Sequence, residues 1–147
     1  MNGKDGAGGG QDGPSNAQRA LYTFLGYSLV GSFLAGFVTL AGLVLAQPLQ
    51  LGGLIPAGMP NAGVAAIAAF VWSAIPASLA GLVLAAIAWW GGTFPWVTAA
   101  AAGGFAFMLA AIAMPLPDGL ALTPLTALAA FIAIGVRAML HNAKIIL

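Results

Sequence analysis

The sequence has very few charged residues and no cysteine. Lys and Arg together number 4 and Asp and Glu 3, so that 5% of the 147 residues are charged. A soluble domain has roughly a quarter of its residues charged, because its surface must be hydrated. The lack of cysteine excludes a disulfide framework, a thiol redox pair and a thiolate metal site. The net charge of +1 gives no reason to expect a nucleic-acid partner.

Apolar residues make up 61% of the chain, and the mean hydropathy is +1.02. They predict four helices, at about residues 20–46, 64–90, 94–114 and 120–140. A helix of about 20 residues crosses the hydrocarbon layer of a bilayer. We therefore expect an all-α membrane protein, with four transmembrane helices in an antiparallel up-down bundle joined by short loops.

The segment before the first apolar run differs sharply from the rest of the chain. Residues 1–19 are rich in glycine and polar side chains, which predicts a disordered cytoplasmic tail, whereas residues 20–147 form the transmembrane domain. Val44 and Ala46 would also suit signal-peptide cleavage before Gln47. The apolar run is nearly twice as long as the 7 to 15 residues of a signal peptide, so we expect it to be retained.

The connections are predicted from proline and glycine. Residues 47–63 are rich in both and form the longest loop, and Gly91 and Gly92 end the second helix. Thr93 is expected to cap the third helix, with Pro95 in its first turn. Residues 115–119 make a turn before the fourth helix.

Basic residues orient the chain in the membrane. Arg19 precedes the first helix, and Arg137 and Lys144 flank the end of the fourth, whereas the only charge in a predicted inter-helix loop is Asp118. Lys and Arg are enriched on the cytoplasmic side. We therefore expect a multi-pass protein of the bacterial cytoplasmic (inner) membrane with both termini in the cytoplasm.

Aromatic residues predict the same boundary, because Trp and Tyr prefer the membrane–water interface. Phe94 and three of the four tryptophans, Trp89, Trp90 and Trp96, surround the turn between the second and third helices. Tyr22 and Tyr27 are expected near that level at the start of the first helix.

Arg137, His141 and Lys144 would share a basic face if the fourth helix continued past the membrane edge. That face suits anionic lipid headgroups. We accordingly predict that Arg137 and Lys144 anchor the chain at the interface, together with the three tryptophans.

Ionisable residues are missing at mid-depth in all four predicted helices. Such residues mark transport routes and catalytic sites in membranes, because a charge there is costly. A single histidine, His141, builds neither a haem site nor a zinc site. We therefore expect no catalytic, cofactor-binding or metal-binding residues, and a protein that is not an enzyme.

Small residues recur every four positions in the second helix. The stripe comprises Ala65, Ala69, Ser73, Ala77, Gly81 and Ala85. Small side chains let neighbouring helices approach closely, so the stripe is predicted to be a packing surface. It would be used within the bundle or, alternatively, by another membrane subunit or a second copy of the chain.

Pro76 lies near the middle of the second helix and predicts a kink there, because proline cannot donate a hydrogen bond to the Trp72 carbonyl. Ser73 or Ser78 would be a candidate partner for that carbonyl. The sequence favours a small noncatalytic accessory or structural subunit that packs against membrane partners or lipids. The alternative is a small carrier or channel, whose pathway forms by oligomerisation or at the Pro76 kink.

Overall fold

The computed structural model describes residues 13–46, 48–49, 61–91, 93–114 and 122–146. All regular structure in these ranges is helical. Four helices are long and apolar enough to cross a membrane, which confirms that prediction. They are span 1 (Asn16–Ala46), span 2 (Ala62–Gly91), span 3 (Trp96–Ala113) and span 4 (Leu122–Asn142).

Span 1 begins earlier than its apolar run. Ser15 and Gln18 form a capping box, in which the Gln18 amide donates to Ser15 Oγ at 3.2 Å and the Ser15 amide donates to Gln18 Oε1 at 2.9 Å. Such a box satisfies amides that have no partner within the helix. The last four residues of the predicted tail, Asn16 to Arg19, are therefore helical, and residues 1–12 lie outside the described ranges.

Span 1 also changes its helical geometry along its length. Asn16–Leu25 is α-helical, Gly26–Gly31 is π-helical and Ser32–Ala46 is α-helical again. Short π-helical segments are rare and accommodate a local change in side-chain register. No sequence pattern predicted this segment.

Spans 2 to 4 begin and end within two residues of the predicted positions. Asn61 precedes span 2, and its Oδ1 accepts a hydrogen bond from the Val64 amide at 3.0 Å. Pro95 is the N-cap of span 3 and therefore lies just before its first turn. Span 2 runs as one helix through Pro76, and the kink stays a prediction. The turn at residues 115–119 and most of the loop 47–63 lie outside the described ranges.

Adjacent spans approach each other at glycines. A Cβ atom on Gly36 of span 1 would lie 3.0 Å from the Ala66 carbonyl oxygen of span 2, and one on Gly81 would lie 3.1 Å from the Phe24 carbonyl oxygen. A Cβ atom on Gly103 of span 3 would lie only 2.6 Å from the Ala133 Cβ of span 4. A Cβ atom does not fit at 2.6 Å, and at 3.0 to 3.1 Å the neighbouring backbone would have to shift by a few tenths of an ångström. Glycine therefore permits the close approach of these helices.

The core lies toward one end of the bundle, which we call the closed end. It contains Tyr27, Leu84, Ala88, Phe94, Ala99, Ala133, Val136, Leu140 and Ile146. The opposite part, residues 33–46, 62–75, 105–113 and 122–132, is called the open end. Its buried residues are Gly36, Ala46, Ala65, Ala106, Phe107 and Ala110. Large buried side chains from all four spans or their flanking segments therefore meet only at the closed end of the described bundle.

Candidate functional site

Tyr27 is the central polar side chain of the closed end. It is 2% exposed, and its hydroxyl donates to the Ala133 carbonyl of span 4 at 3.0 Å. Its ring centroid lies 6.4 Å from that of Phe94, which is also buried. Neither ring therefore belongs to the exposed aromatic belt expected from the sequence, whereas Tyr22 is exposed. Tyr27 connects span 1 to span 4 inside the protein, because its hydroxyl needs an acceptor when buried.

Arg137 forms the second long-range contact of the closed end. Its Nε donates to the Phe94 carbonyl at 2.9 Å, which ties span 4 to the segment between spans 2 and 3. The side chain is half-buried. The sequence predicts that Arg137 anchors the chain at the interface, and the structure shows in addition that its Nε is bonded within the protein. Contacts between residues 43 positions apart have no signal in a single sequence.

Two hydroxyls near the π-helical segment are buried without a hydrogen-bond partner among the described residues, Thr23 Oγ1 and Ser28 Oγ. The Ser32 hydroxyl donates to the Ser28 carbonyl at 2.7 Å. Bonds of this kind satisfy carbonyls inside apolar helices. Ser28 Oγ lies 3.4 Å from the position that a Cβ atom on Gly81 of span 2 would take, so one of these hydroxyls stands at the contact between spans 1 and 2.

The chain leaves span 4 through a left-handed turn at Lys144, whose φ is 54°. The Ile145 amide donates to the Leu140 carbonyl at 3.0 Å, and the Lys144 amide donates to the His141 carbonyl at 2.9 Å. This pattern ends helices by satisfying their last carbonyls. Ile146 then lies buried in the core. The predicted three-residue basic face is wrong in one respect, because the helix ends at Asn142 and Lys144 no longer follows its surface.

The predicted small-residue stripe of span 2 is at least half-buried throughout. Ala65, Gly81 and Ala85 are buried, and Ala69, Ser73 and Ala77 are half-buried. The Ala77 Cβ lies 3.6 Å from the position that a Cβ on Gly31 would take, and Gly81 faces Phe24 and Tyr27. At these two positions the stripe therefore lies against span 1 of the same chain.

Trp72 and Pro76 occupy the middle of span 2. Pro76 is buried, and Trp72 Nε1 is buried without a hydrogen-bond partner in the described part of the chain. The ring centroids of Trp72 and Phe107 lie 5.2 Å apart, which joins spans 2 and 3. The Ser73 hydroxyl donates to the Phe70 carbonyl at 3.0 Å, so the suggestion that it serves the Trp72 carbonyl is wrong.

The predicted interface anchors other than Arg137 are exposed. Trp89, Trp90, Trp96 and Lys144 all present most or a large part of their surface outside the bundle, with Trp90 at 83%. These residues adjoin the closed end. The structure therefore gathers the anchors at the end of the bundle that also contains the buried polar contacts.

The open end has a groove of about 280 Å³ between spans 1 and 2. It is lined by Phe33, Gly36, Phe37, Leu40, Ala66, Ile67 and Phe70. Six of these residues have apolar side chains and the seventh is glycine, so the side chains of the groove offer neither hydrogen bonds nor charge to a bound molecule. It suits contact with hydrocarbon.

No group of three or more His, Cys, Asp or Glu residues that could hold a metal ion occurs among the described residues. At the closed end the structure shows two hydrogen bonds between distant residues, from Tyr27 to Ala133 and from Arg137 to Phe94. No family model, curated protein or solved structure matches the chain.

Proposed function

We propose that the chain is a small noncatalytic integral membrane protein, an accessory or structural subunit that packs against membrane partners or lipids. One observation carries this proposal. Two side chains of the described residues that make long-range hydrogen bonds, Tyr27 and Arg137, donate to backbone carbonyls of the same chain. Polar groups used in this way stabilise a scaffold. The lipid-facing surface of that scaffold is almost wholly apolar and is available to neighbours in the membrane.

The competing proposal is a carrier or channel, with a route lined by Thr39, Ser73, Ser78, Thr98 and Thr126. Three of these hydroxyls donate within their own helices. Thr39 donates to Ala35 at 2.8 Å, Ser73 to Phe70 at 3.0 Å and Thr126 to Leu122 at 2.9 Å. A permeating ion or polar solute needs groups directed toward a shared route. The local bonds therefore favour the packing role.

The proposal includes an antiparallel up-down arrangement of the four spans. It is supported by the contacts of span 1 with span 2, where Gly36 meets Ala66 and Gly81 meets Phe24. Residues late in one helix thus meet residues early in the next. With this arrangement both termini lie in the cytoplasm, and the closed end is on the cytoplasmic side of a bacterial inner membrane, where Lys and Arg are enriched.

Co-migration tests the proposed function. Native membranes are solubilised in a mild detergent, and the chain is expected to migrate with other polypeptides on a native gel. In parallel, liposomes that contain the purified chain should show no solute flux, either with the wild type or with Pro76→Ala and Ser73→Ala. A monomer without associated polypeptides contradicts the subunit role, and flux that Ser73→Ala abolishes favours the carrier.

Orientation is tested by single cysteines in the cysteine-free background. A cysteine at Gly13 or Asn142, both exposed at the proposed cytoplasmic side, should resist an impermeant thiol reagent added outside the cell. A cysteine at Asp118 should react. The reverse pattern inverts the orientation, and equal labelling at Asn142 and Asp118 contradicts the four-span arrangement.

A further inference from the structure

Arg137 has more hydrogen-bonding capacity than the described part of the chain uses. A guanidinium group carries five N–H donors in a planar fork. Only Nε has a partner among the described residues, the Phe94 carbonyl at 2.9 Å. This bond fixes the plane of the group and leaves its two terminal nitrogens free of protein hydrogen bonds in the described part of the chain.

The charge of Arg137 also has no carboxylate near it within the described ranges. The only acidic residues in the sequence are Asp5, Asp12 and Asp118, and all three lie outside those ranges. Arg137 is half-buried, and its Nε bonds the backbone of Phe94, whose side chain belongs to the apolar core. A cation in such surroundings is stabilised by an anion, because the adjacent hydrocarbon and protein interior solvate it poorly.

We propose that Arg137 binds the phosphate group of a membrane phospholipid. Arginine matches the geometry of a phosphate, since two parallel N–H groups bond two oxygens. The Phe94 carbonyl holds the fork in place, so less side-chain freedom is lost on binding. This inference deepens the lipid part of the proposed function, because it names a headgroup and the residue that recognises it.

A lipid phosphate is favoured over the carboxylate of a partner protein by the position of Arg137. Its hydrogen-bond acceptor, Phe94, lies between two exposed tryptophans, Trp90 and Trp96. Exposed tryptophans mark the headgroup level of a bilayer, where phospholipid phosphates are abundant. His141, one helical turn beyond Arg137 and exposed, faces the same side of span 4.

The test uses the full-length protein, freed of lipid in a nonionic detergent. Its thermal unfolding is followed during titration with phosphatidylglycerol, with a diacylglycerol of the same acyl chains and with inorganic phosphate. We expect a saturable rise of Tm with phosphatidylglycerol only. Arg137→Gln should raise the lipid concentration needed for half of that shift about tenfold, the loss expected for one charge-assisted interaction.

Two variants distinguish the contribution of the planar guanidinium geometry from that of the positive charge. Arg137→Lys keeps the charge but lacks the planar fork, so its affinity should fall between those of the wild type and Arg137→Gln. Lys144→Gln removes the same charge from an exposed residue past the helix end, and it measures what charge alone contributes to the attraction of the lipid. Because an exposed ammonium group lacks the positioned fork, its loss should raise the lipid concentration for half of the shift less than Arg137→Gln does.

Several results would overturn the inference. They are an unchanged affinity in Arg137→Gln, equal stabilisation by the diacylglycerol, and equal protection by inorganic phosphate at the same concentration. The same holds if Arg137→Gln releases a co-migrating polypeptide while the lipid titration is unaltered, because the partner would then supply the anion. If Arg137→Gln fails to fold, the comparison of the two lipids on the wild type decides. A chain that migrates alone but passes the lipid titration would refute only the subunit role.

Discussion

The two ends of the bundle are built on different principles. At the closed end, large side chains such as Tyr27, Leu84 and Phe94 interlock, and two hydrogen bonds join residues distant in the sequence. At the open end the helices meet in pairs through small residues, as where Gly36 approaches Ala66. Trp72 and Phe107 provide the aromatic contact between spans 2 and 3. Stability is therefore expected to be concentrated at the closed end.

The difference follows from the solvent around each helix. Lipid chains are as apolar as Leu or Phe, so burial of an apolar side chain drives little association within a bilayer. Close packing and hydrogen bonds remain as the attractive forces, and the closed end has both. The open end keeps close packing within helix pairs and presents rings such as those of Phe33 and Phe131 to the exterior. A surface of this kind is suited to exchange of lipid or protein neighbours.

The largest expected effect is the loss of the Phe94 ring. Phe94→Ala removes a side chain that is 1% exposed and leaves a cavity beside Tyr27. It should lower the free energy of unfolding by about 3 to 5 kcal/mol. Phe131→Ala is the matched control at the open end, where the ring is 73% exposed, and should cost less than about 0.5 kcal/mol. Denaturing-detergent titration of both purified variants measures the difference.

Equal destabilisation by Phe94→Ala and Phe131→Ala would remove the distinction between the two ends. If Phe131→Ala alone lowered the free energy of unfolding strongly, the stabilising contacts would lie at the open end instead. Phe131→Ala also reports on neighbours, since a partner that covers this ring in native membranes would be released by the variant.

The second effect concerns the seam between spans 1 and 2. Gly81→Leu places a large side chain where even a Cβ atom would lie 3.1 Å from the Phe24 carbonyl oxygen and from the Tyr27 Cβ. A backbone carbonyl cannot rotate away from the new side chain as another side chain could, so the two helices must separate. The free energy of unfolding should fall by about 1 to 3 kcal/mol. Gly42→Leu, at the open end, is the control because no atom lies within 4 Å of its added Cβ.

The measurement is the Tm of each variant in the same detergent. Gly81→Leu should lower it, whereas Gly42→Leu should leave it near the wild-type value or raise it slightly, since leucine favours helix more than glycine does. An unaltered Tm in Gly81→Leu would mean that the stripe of span 2 reflects alanine-rich composition and has no packing role.

The four spans could be predicted from sequence because their signal is local. Hydrophobic runs place each helix to within two residues, except at Asn16, where the capping box of Ser15 and Gln18 extends span 1 into the polar tail. That signal was present in the sequence, as a Ser followed three residues later by Gln. The error came from treating the start of the apolar run as the start of the helix.

The contacts of the closed end could not be predicted in this way. Tyr27 and Ala133 are 106 residues apart, and Arg137 and Phe94 are 43 apart. From sequence position alone, an aromatic or basic residue near a helix end could lie either at the membrane interface or inside the bundle. Packing in three dimensions decides which of these side chains are buried. Tyr27 and Phe94 are buried, whereas Tyr22 and Trp90 are exposed.

The smallest expected effect isolates one hydrogen bond of the closed end. Tyr27→Phe keeps the ring against Phe94 but removes the hydroxyl that donates to the Ala133 carbonyl at 3.0 Å. Hydrogen bonds between transmembrane helices contribute about 0.6 kcal/mol on average, and the best about 1.7 kcal/mol, because the separated helices also find partners.

Since the Tyr27 hydroxyl is buried and its acceptor loses the bond, we expect a loss of about 1 kcal/mol for Tyr27→Phe. Tyr22→Phe makes the same chemical change on an exposed ring in span 1 and should be within about 0.3 kcal/mol of wild type. Denaturing-detergent titrations at a single protein concentration resolve the two values. Identical curves for Tyr27→Phe and Tyr22→Phe would show that ring packing alone holds span 1 to span 4, and the closed end would then differ from the open end only in the size of its side chains.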